Sequence, residues 1–127
     1  MTSSVRSVLG VAVGVVLLAA CGADDSGPAL SEAAAAGRSI YISNGCAACH
    51  GSDGGGGVGP SLVGLIGSTS EFADGTSLVA DRAYVVESIM DPAARKVAGY
   101  SIPMPMNNLS LSDVESITDF IAELELP

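Results

Sequence analysis

Cys46-Ala47-Ala48-Cys49-His50, with Gly45 before it and Gly51 after, is the stretch on which the reading of this chain turns. Two thiols three positions apart, followed at once by a histidine, form the attachment pattern for a c-type haem. The spacing has a chemical reason. Each sulfur can add to one vinyl group of a haem and leave a permanent thioether tether. The adjacent imidazole is then held under the iron as one axial ligand. The remainder of the chain must provide a second ligand, an apolar envelope and a route to a working place.

The composition is compatible with those demands. At 127 residues, with a short leader to subtract, one domain is expected. Three Tyr, two Phe and no Trp make a thin core for an ordinary globule, which a large apolar cofactor would repair. A formal charge of −9 excludes nucleic acid as a partner, because phosphate backbones are bound by Lys and Arg. It suits an acidic domain that meets a basic or mixed protein surface, with salt-sensitive docking where that surface is basic.

Three cysteines leave one over once Cys46 and Cys49 are taken as a unit. The leader accounts for the third. Residues 1–20 carry Arg6 and then run from Val8 to Ala20 without a polar side chain. That run is shorter than the roughly 20 residues of a spanning helix, and it fits the core of a secretory signal. Leu18-Ala19-Ala20-Cys21 is similar to the lipobox of bacterial lipoproteins, which implies lipidation of Cys21 and cleavage before it. The alternative is a plain signal with an incidental thiol. Residues 21–30 hold the lipidated cysteine and the spacer Gly22 to Ala29, whose small, polar, Gly- and Pro-broken composition reads as a flexible linker. The expected place is therefore outside the cell membrane proper: exported, and anchored to the outer face of the bacterial cytoplasmic membrane. Residues 31–127 form the domain.

In that domain the patterns predict an all-α fold of three main helices with long loops. Ser31 caps a helix to about Asn44, stopped by Gly45, with Gly37, Ile40 and Tyr41 on its buried face. Gly54 to Gly57 reads as a flexible surface loop, since no Lys or Ser/Thr follows at phosphate-loop spacing. Asp74-Gly75 signals at most a small hairpin within residues 70–79. Asp81 caps a second helix to about Met90, with Val85, Val86, Ile89 and Met90 as its apolar stripe. Residues 93–109 are irregular, because Pro103 and Pro105 forbid a regular helix. Ser110 or Ser112, each with an acid three residues on, starts a last helix that buries Val114, Ile117, Phe120, Ile121 and Leu124. Loops of this length suit a chain wrapped around a cofactor.

With one histidine, a bis-histidine haem within the chain is excluded. Outside the leader the soft donors are Met90, Met104 and Met106. Met90 lies on a helical apolar stripe and reads as core. Met104 and Met106 both remain open. Proline on each side of Met104 stiffens the backbone and favours it as a thioether held at fixed distance from iron.

From about Ala33 to Leu124 the chain resembles a class I cytochrome c, and in particular the cytochrome c domain fused to subunit II of some bacterial terminal oxidases. The residues that carry the resemblance are Gly45 to His50, Gly59-Pro60-Ser61-Leu62, Ala73-Asp74-Gly75-Thr76, and Val97-Ala98-Gly99-Tyr100 followed by Met104-Pro105. The resemblance implies one covalently attached haem c with His50 and Met104 as axial ligands. It implies that the Pro60 carbonyl orients His50, that Leu62 packs on the haem, that Tyr100 belongs to the site, and that Gly37 and Tyr41 cross closely over Ile117 and Phe120. The copper domain and membrane helices of the oxidase subunit have no counterpart in these 127 residues.

The function expected is a membrane-anchored, one-electron carrier of a respiratory chain, and not an enzyme. Its redox partners would be a quinol-oxidising cytochrome complex or dehydrogenase on one side and a terminal oxidase or reductase on the other. With both axial positions taken there is no open site for a small-molecule substrate. Arg82, Arg95 and Lys96 are candidates for neutralising the haem carboxylates, with plain solvated surface charge as the alternative that the sequence favours. The competing readings are a haem enzyme or gas sensor with an open sixth position, thiol–disulfide exchange by Cys46 and Cys49, and zinc binding, for which a fourth ligand at finger spacing is missing.

Overall fold

The computed structural model describes residues 29–124. The leader, Cys21 and most of the linker lie outside the described residues. The elements run α1 (Glu32–Ser43), α2 (Ala47–His50), β1 (Thr69–Glu71), β2 (Ser77–Val79), α3 (Arg82–Met90) and α4 (Leu111–Ala122). The architecture is mostly helical with one small antiparallel sheet.

Local chemistry sets the ends of the long helices. The Ser31 hydroxyl accepts from the Ala34 N–H to open α1, and Asn44 and Gly45 close it, Gly45 with φ 77°. Asp81 accepts from the Tyr84 N–H to open α3. Of the two serines proposed for α4, Ser110 is the cap. Its hydroxyl accepts from the Asp113 N–H while the Asp113 carboxylate accepts from the Ser110 N–H, a reciprocal capping box. The hairpin pairs Thr69 with Val79 and Glu71 with Ser77. Its turn is held by the Asp74 carboxylate, which accepts from the Thr76 N–H at 2.9 Å.

The core is the crossing of α1 over α4. Gly37 is buried there, and a methyl group in its place would lie 1.8 Å from the Ser116 carbonyl oxygen, so the backbones touch. One turn on, the Tyr41 and Phe120 rings pack at 5.2 Å with a tilt of 58°. Val114 and Ile117 complete the layer, both fully buried. The start of α1 and the end of α4 are also tied together. Glu123 accepts from the Ser31 N–H at 2.9 Å and from the Ser31 hydroxyl, and these bonds hold its carboxyl below the usual range.

Three expectations are corrected. Met90 is not core but 43% exposed. The buried face of α3 is Tyr84, Val85 and Ile89, because the neighbours of α3 approach on that side and Tyr84 supplies the bulk that Met90 was expected to give. Gly54 to Gly57 is a loop with Gly55 and Gly57 exposed, as expected, but it is tied down at Gly54 and Gly56. Gly54 is buried, its carbonyl accepts from the Leu62 N–H at 2.7 Å, and the Gly56 N–H donates to the His50 carbonyl at 2.8 Å. Leu124 lies past the end of α4 rather than on it, and its side chain lies against Gly54, where a methyl group would meet it at 2.4 Å. The glycines therefore serve close packing, which in composition looks the same as flexibility.

Candidate haem site

The motif opening the sequence folds into a single helical turn. Gly45, in the left-handed region, ends α1 and lets the chain re-enter a helix at once, so that Cys46, Cys49 and His50 project from α2 and its cap. His50 is the last residue of that turn. Both thiols are half-buried and unbridged, and burial pushes the Cys46 thiol up.

Nδ1 of His50 lies 2.8 Å from the Pro60 carbonyl oxygen. A carbonyl only accepts, so Nδ1 carries the proton and Nε2 keeps its lone pair. That is the tautomer a metal-ligating histidine needs, with the ring fixed by its far nitrogen. The loop that brings Pro60 back is held by the Gly59 N–H donating to the Cys49 carbonyl at 2.9 Å. Gly59 lies directly against the ring. A methyl group there would stand 2.8 Å from Cε1 and 3.0 Å from Nδ1 of His50. Gly59→Ala is accordingly expected to displace the imidazole and cost about 1–3 kcal/mol. The check is a lower Tm of the haem-loaded protein, with a changed visible spectrum.

Tyr41 supports the same turn from below. Its hydroxyl donates to the Gly51 carbonyl at 2.6 Å. Burial pushes its pKa up to about 12, so it remains a donor at any physiological pH.

All the residues expected at the site come together. Cys46, Cys49, His50, Pro60, Leu62, Tyr100 and Met104 line one cavity of about 440 Å³. Leu62 is buried in its wall, and Met104 is half-buried and packs on the core. Met106 also reaches the rim but is 70% exposed. Val85, Ile89, Ile117 and Ile121 supply apolar wall from α3 and α4. The three cations named from sequence separate. Arg95 and Lys96 line the cavity, whereas Arg82 pairs with Asp119 and does not. These residues fit a haem: two thiols at tethering spacing, an imidazole with a free lone pair, a thioether and an apolar wall.

Three residues of the site are not predicted by the sequence. Gly59 belongs to the Gly59-Pro60-Ser61-Leu62 motif, but its contact with the ring follows from a loop closure that no spacing reveals. Tyr84 carries no spacing signal that marks it as a wall of the cavity. Asn107 anchors the methionine loop, its side-chain N–H donating to the Ile89 carbonyl at 2.7 Å and its oxygen accepting from the Leu109 N–H at 3.1 Å. The available signal was Asn107-Asn108 ahead of the Ser110 cap, a composition that favours side-chain-to-backbone bonds.

Comparison with known families gives a match to the family described as Cytochrome c over residues 34–125. A comparison with curated proteins finds no match. Because the family match runs through the tethering motif and through every wall of the cavity that the motif serves, the chain belongs to the cytochrome c family, whose members carry electrons on a covalently bound haem c.

Proposed function

We propose that this protein is a lipid-anchored, one-electron carrier of a bacterial respiratory chain, with His50 and Met104 as the axial ligands of its haem. One observation carries the ligand assignment. His50, its Nδ1 taken by Pro60, and Met104, half-buried, line the same cavity, while Met106 is 70% exposed. The haem, when bound, supplies a one-electron couple at its iron. The chain's own residues do the rest. Cys46 and Cys49 tether the group, and Pro60 orients His50 and raises its donor strength. Met104 would supply the thioether donor to the iron, which favours the reduced state and raises the potential. Leu62, Val85, Ile89, Ile117 and Ile121 form an apolar wall that would keep water from the group, and Tyr100 lines the same cavity.

Anchoring is supported by Leu18 to Cys21 and by the odd cysteine they account for. Acyl chains on Cys21 would hold the protein to the outer face of the cytoplasmic membrane. The linker, residues 22–30, can extend about 30 Å at most. The haem would then meet partners confined to the same surface: a quinol-oxidising complex or dehydrogenase as donor, and a terminal oxidase or reductase as acceptor. The resemblance to the cytochrome domain of oxidase subunit II supports the acceptor side.

The test is spectroscopic. Purified haem-loaded protein should be low-spin and six-coordinate, cycle reversibly between oxidised and reduced forms, and bind carbon monoxide slowly and incompletely when reduced. A high-spin ferric spectrum at neutral pH, or rapid complete carbon monoxide binding, would overturn the carrier reading in favour of a haem enzyme or gas sensor.

A further inference from the structure

Met104 lies in a stretch that its own backbone does not hold. Upstream the chain is fixed to the hairpin, where the Ala98 N–H donates to the Glu71 carbonyl at 2.9 Å and Val97 bridges to Phe72. From Ser101 to Met106 no backbone N–H or carbonyl is hydrogen-bonded to any described residue, and Pro103 and Pro105 have no N–H to give. The next tie downstream is a side chain. Asn107, half-buried on the cavity wall, donates from its amide nitrogen to the Ile89 carbonyl at 2.7 Å. Its amide oxygen accepts from the Leu109 N–H at 3.1 Å.

Both partners need it. Ile89 stands in the last turn of α3, whose terminal carbonyls have no partner inside the helix. Pro92, three residues on, has no N–H, and no backbone N–H of a described residue reaches that carbonyl. Leu109 precedes the Ser110 cap, so its N–H falls outside α4. One amide thus answers the exit of α3 and the entry to α4, and it closes the loop between them just after Met104. Ile89 is buried and lines the same cavity, so the anchor belongs to the core and does not yield as a surface group would.

We propose that Asn107 is a positioning residue for the Met104 thioether: its bond to the Ile89 carbonyl fixes the loop and so sets how rarely the sixth position of the haem iron comes open. The inference rests on the ligand reading above and goes beyond it by naming what holds the donor in place. The prolines stiffen the loop but attach it to nothing. A stiff loop without an anchor would swing away as a unit, and Asn107 supplies the anchor.

The experiment measures carbon monoxide affinity of the reduced, full, haem-loaded protein and its variants, well below their melting temperatures. Asn107→Ala should raise the apparent affinity about tenfold, the worth of one to two hydrogen bonds. Asn107→Asp should raise it by a similar factor, because an ionised carboxylate still accepts from the Leu109 N–H but gives nothing to the Ile89 carbonyl. Amide exchange separates the two bonds: the Leu109 N–H should lose protection in Asn107→Ala and keep it in Asn107→Asp. Asn108→Ala, at an exposed neighbouring position, should match the parent in affinity. A purely structural role would lower the Tm of the Asn107 variants and leave their affinity unmoved. Parent-like affinity in Asn107→Asp, or in Asn107→Ala where it loads haem, with Met104→Ala opening the site, would overturn this inference alone. Met104→Ala at parent affinity would overturn the ligand reading beneath it.

Discussion

Gly37→Ala should lower the Tm of the haem-loaded protein by roughly 10–20 °C, although alanine is the better helix former. Two effects of opposite sign meet at this position. Helix propensity favours alanine over glycine by about 1 kcal/mol in a helix interior. Against it stands a methyl group 1.8 Å from the Ser116 carbonyl oxygen and 3.1 Å from the Ile117 nitrogen. Both obstacles are backbone, so no rotamer change relieves them, and α1 must move away from α4. Overpacking that forces backbone shifts costs typically 1–3 kcal/mol and occasionally more, and an approach of 1.8 Å onto backbone belongs at the upper end, about 3–4 kcal/mol. The net loss is therefore about 2–3 kcal/mol, and each kcal/mol is worth about 4–8 °C in a domain of this size. The functional consequence follows from the same geometry, since Tyr41 on α1 and Ile117 and Ile121 on α4 all line the haem cavity. Thermal melts of the variant beside Ala33→Gly, an exposed position on the same helix, separate the terms. A rise in Tm for Gly37→Ala would mean that propensity outweighs the crossing.

Met104→Ala should convert a closed site into an open one. The reduced variant is expected to bind carbon monoxide rapidly and completely, and its ferric spectrum to turn high-spin. The size of the change follows from how seldom the parent site opens. If the ligand is displaced in about 1% of molecules, removing it raises the apparent affinity for carbon monoxide about a hundredfold. Met106→Ala should leave affinity and spectrum unchanged, because Met106 is 70% exposed and its loss opens no coordination position. The reverse pattern, with Met106→Ala opening the site, would move the axial role two residues along the chain. Met104→His should remain low-spin but lose potential, since a thioether favours the reduced state more than an imidazole does.

Much of this site was legible in one dimension because its chemistry is local. The tether needs two thiols and an imidazole within one helical turn, so residues 46–50 state it outright. Helix starts are equally local: Ser31, Asp81 and Ser110 each satisfy an N–H three residues on. The illegible features depend on what approaches from elsewhere. The run Gly54 to Gly57 reads as slack until Leu124, some seventy positions later, is seen to press on Gly54. Met90 and Tyr84 are both apolar enough for a core, and periodicity cannot say which side of α3 its neighbours will cover.

The sequence by itself determined the cofactor, the tether and the mostly helical class, because covalent attachment and helix capping act over a few residues. It left two methionines open, Met104 and Met106. Only the tertiary structure shows that Met104 is half-buried on the cavity wall where Met106 is 70% exposed, and that Arg82 pairs with Asp119 and Arg95 with Glu87. Burial and charge pairing depend on residues distant in sequence, and no reading of spacing along the chain can supply them.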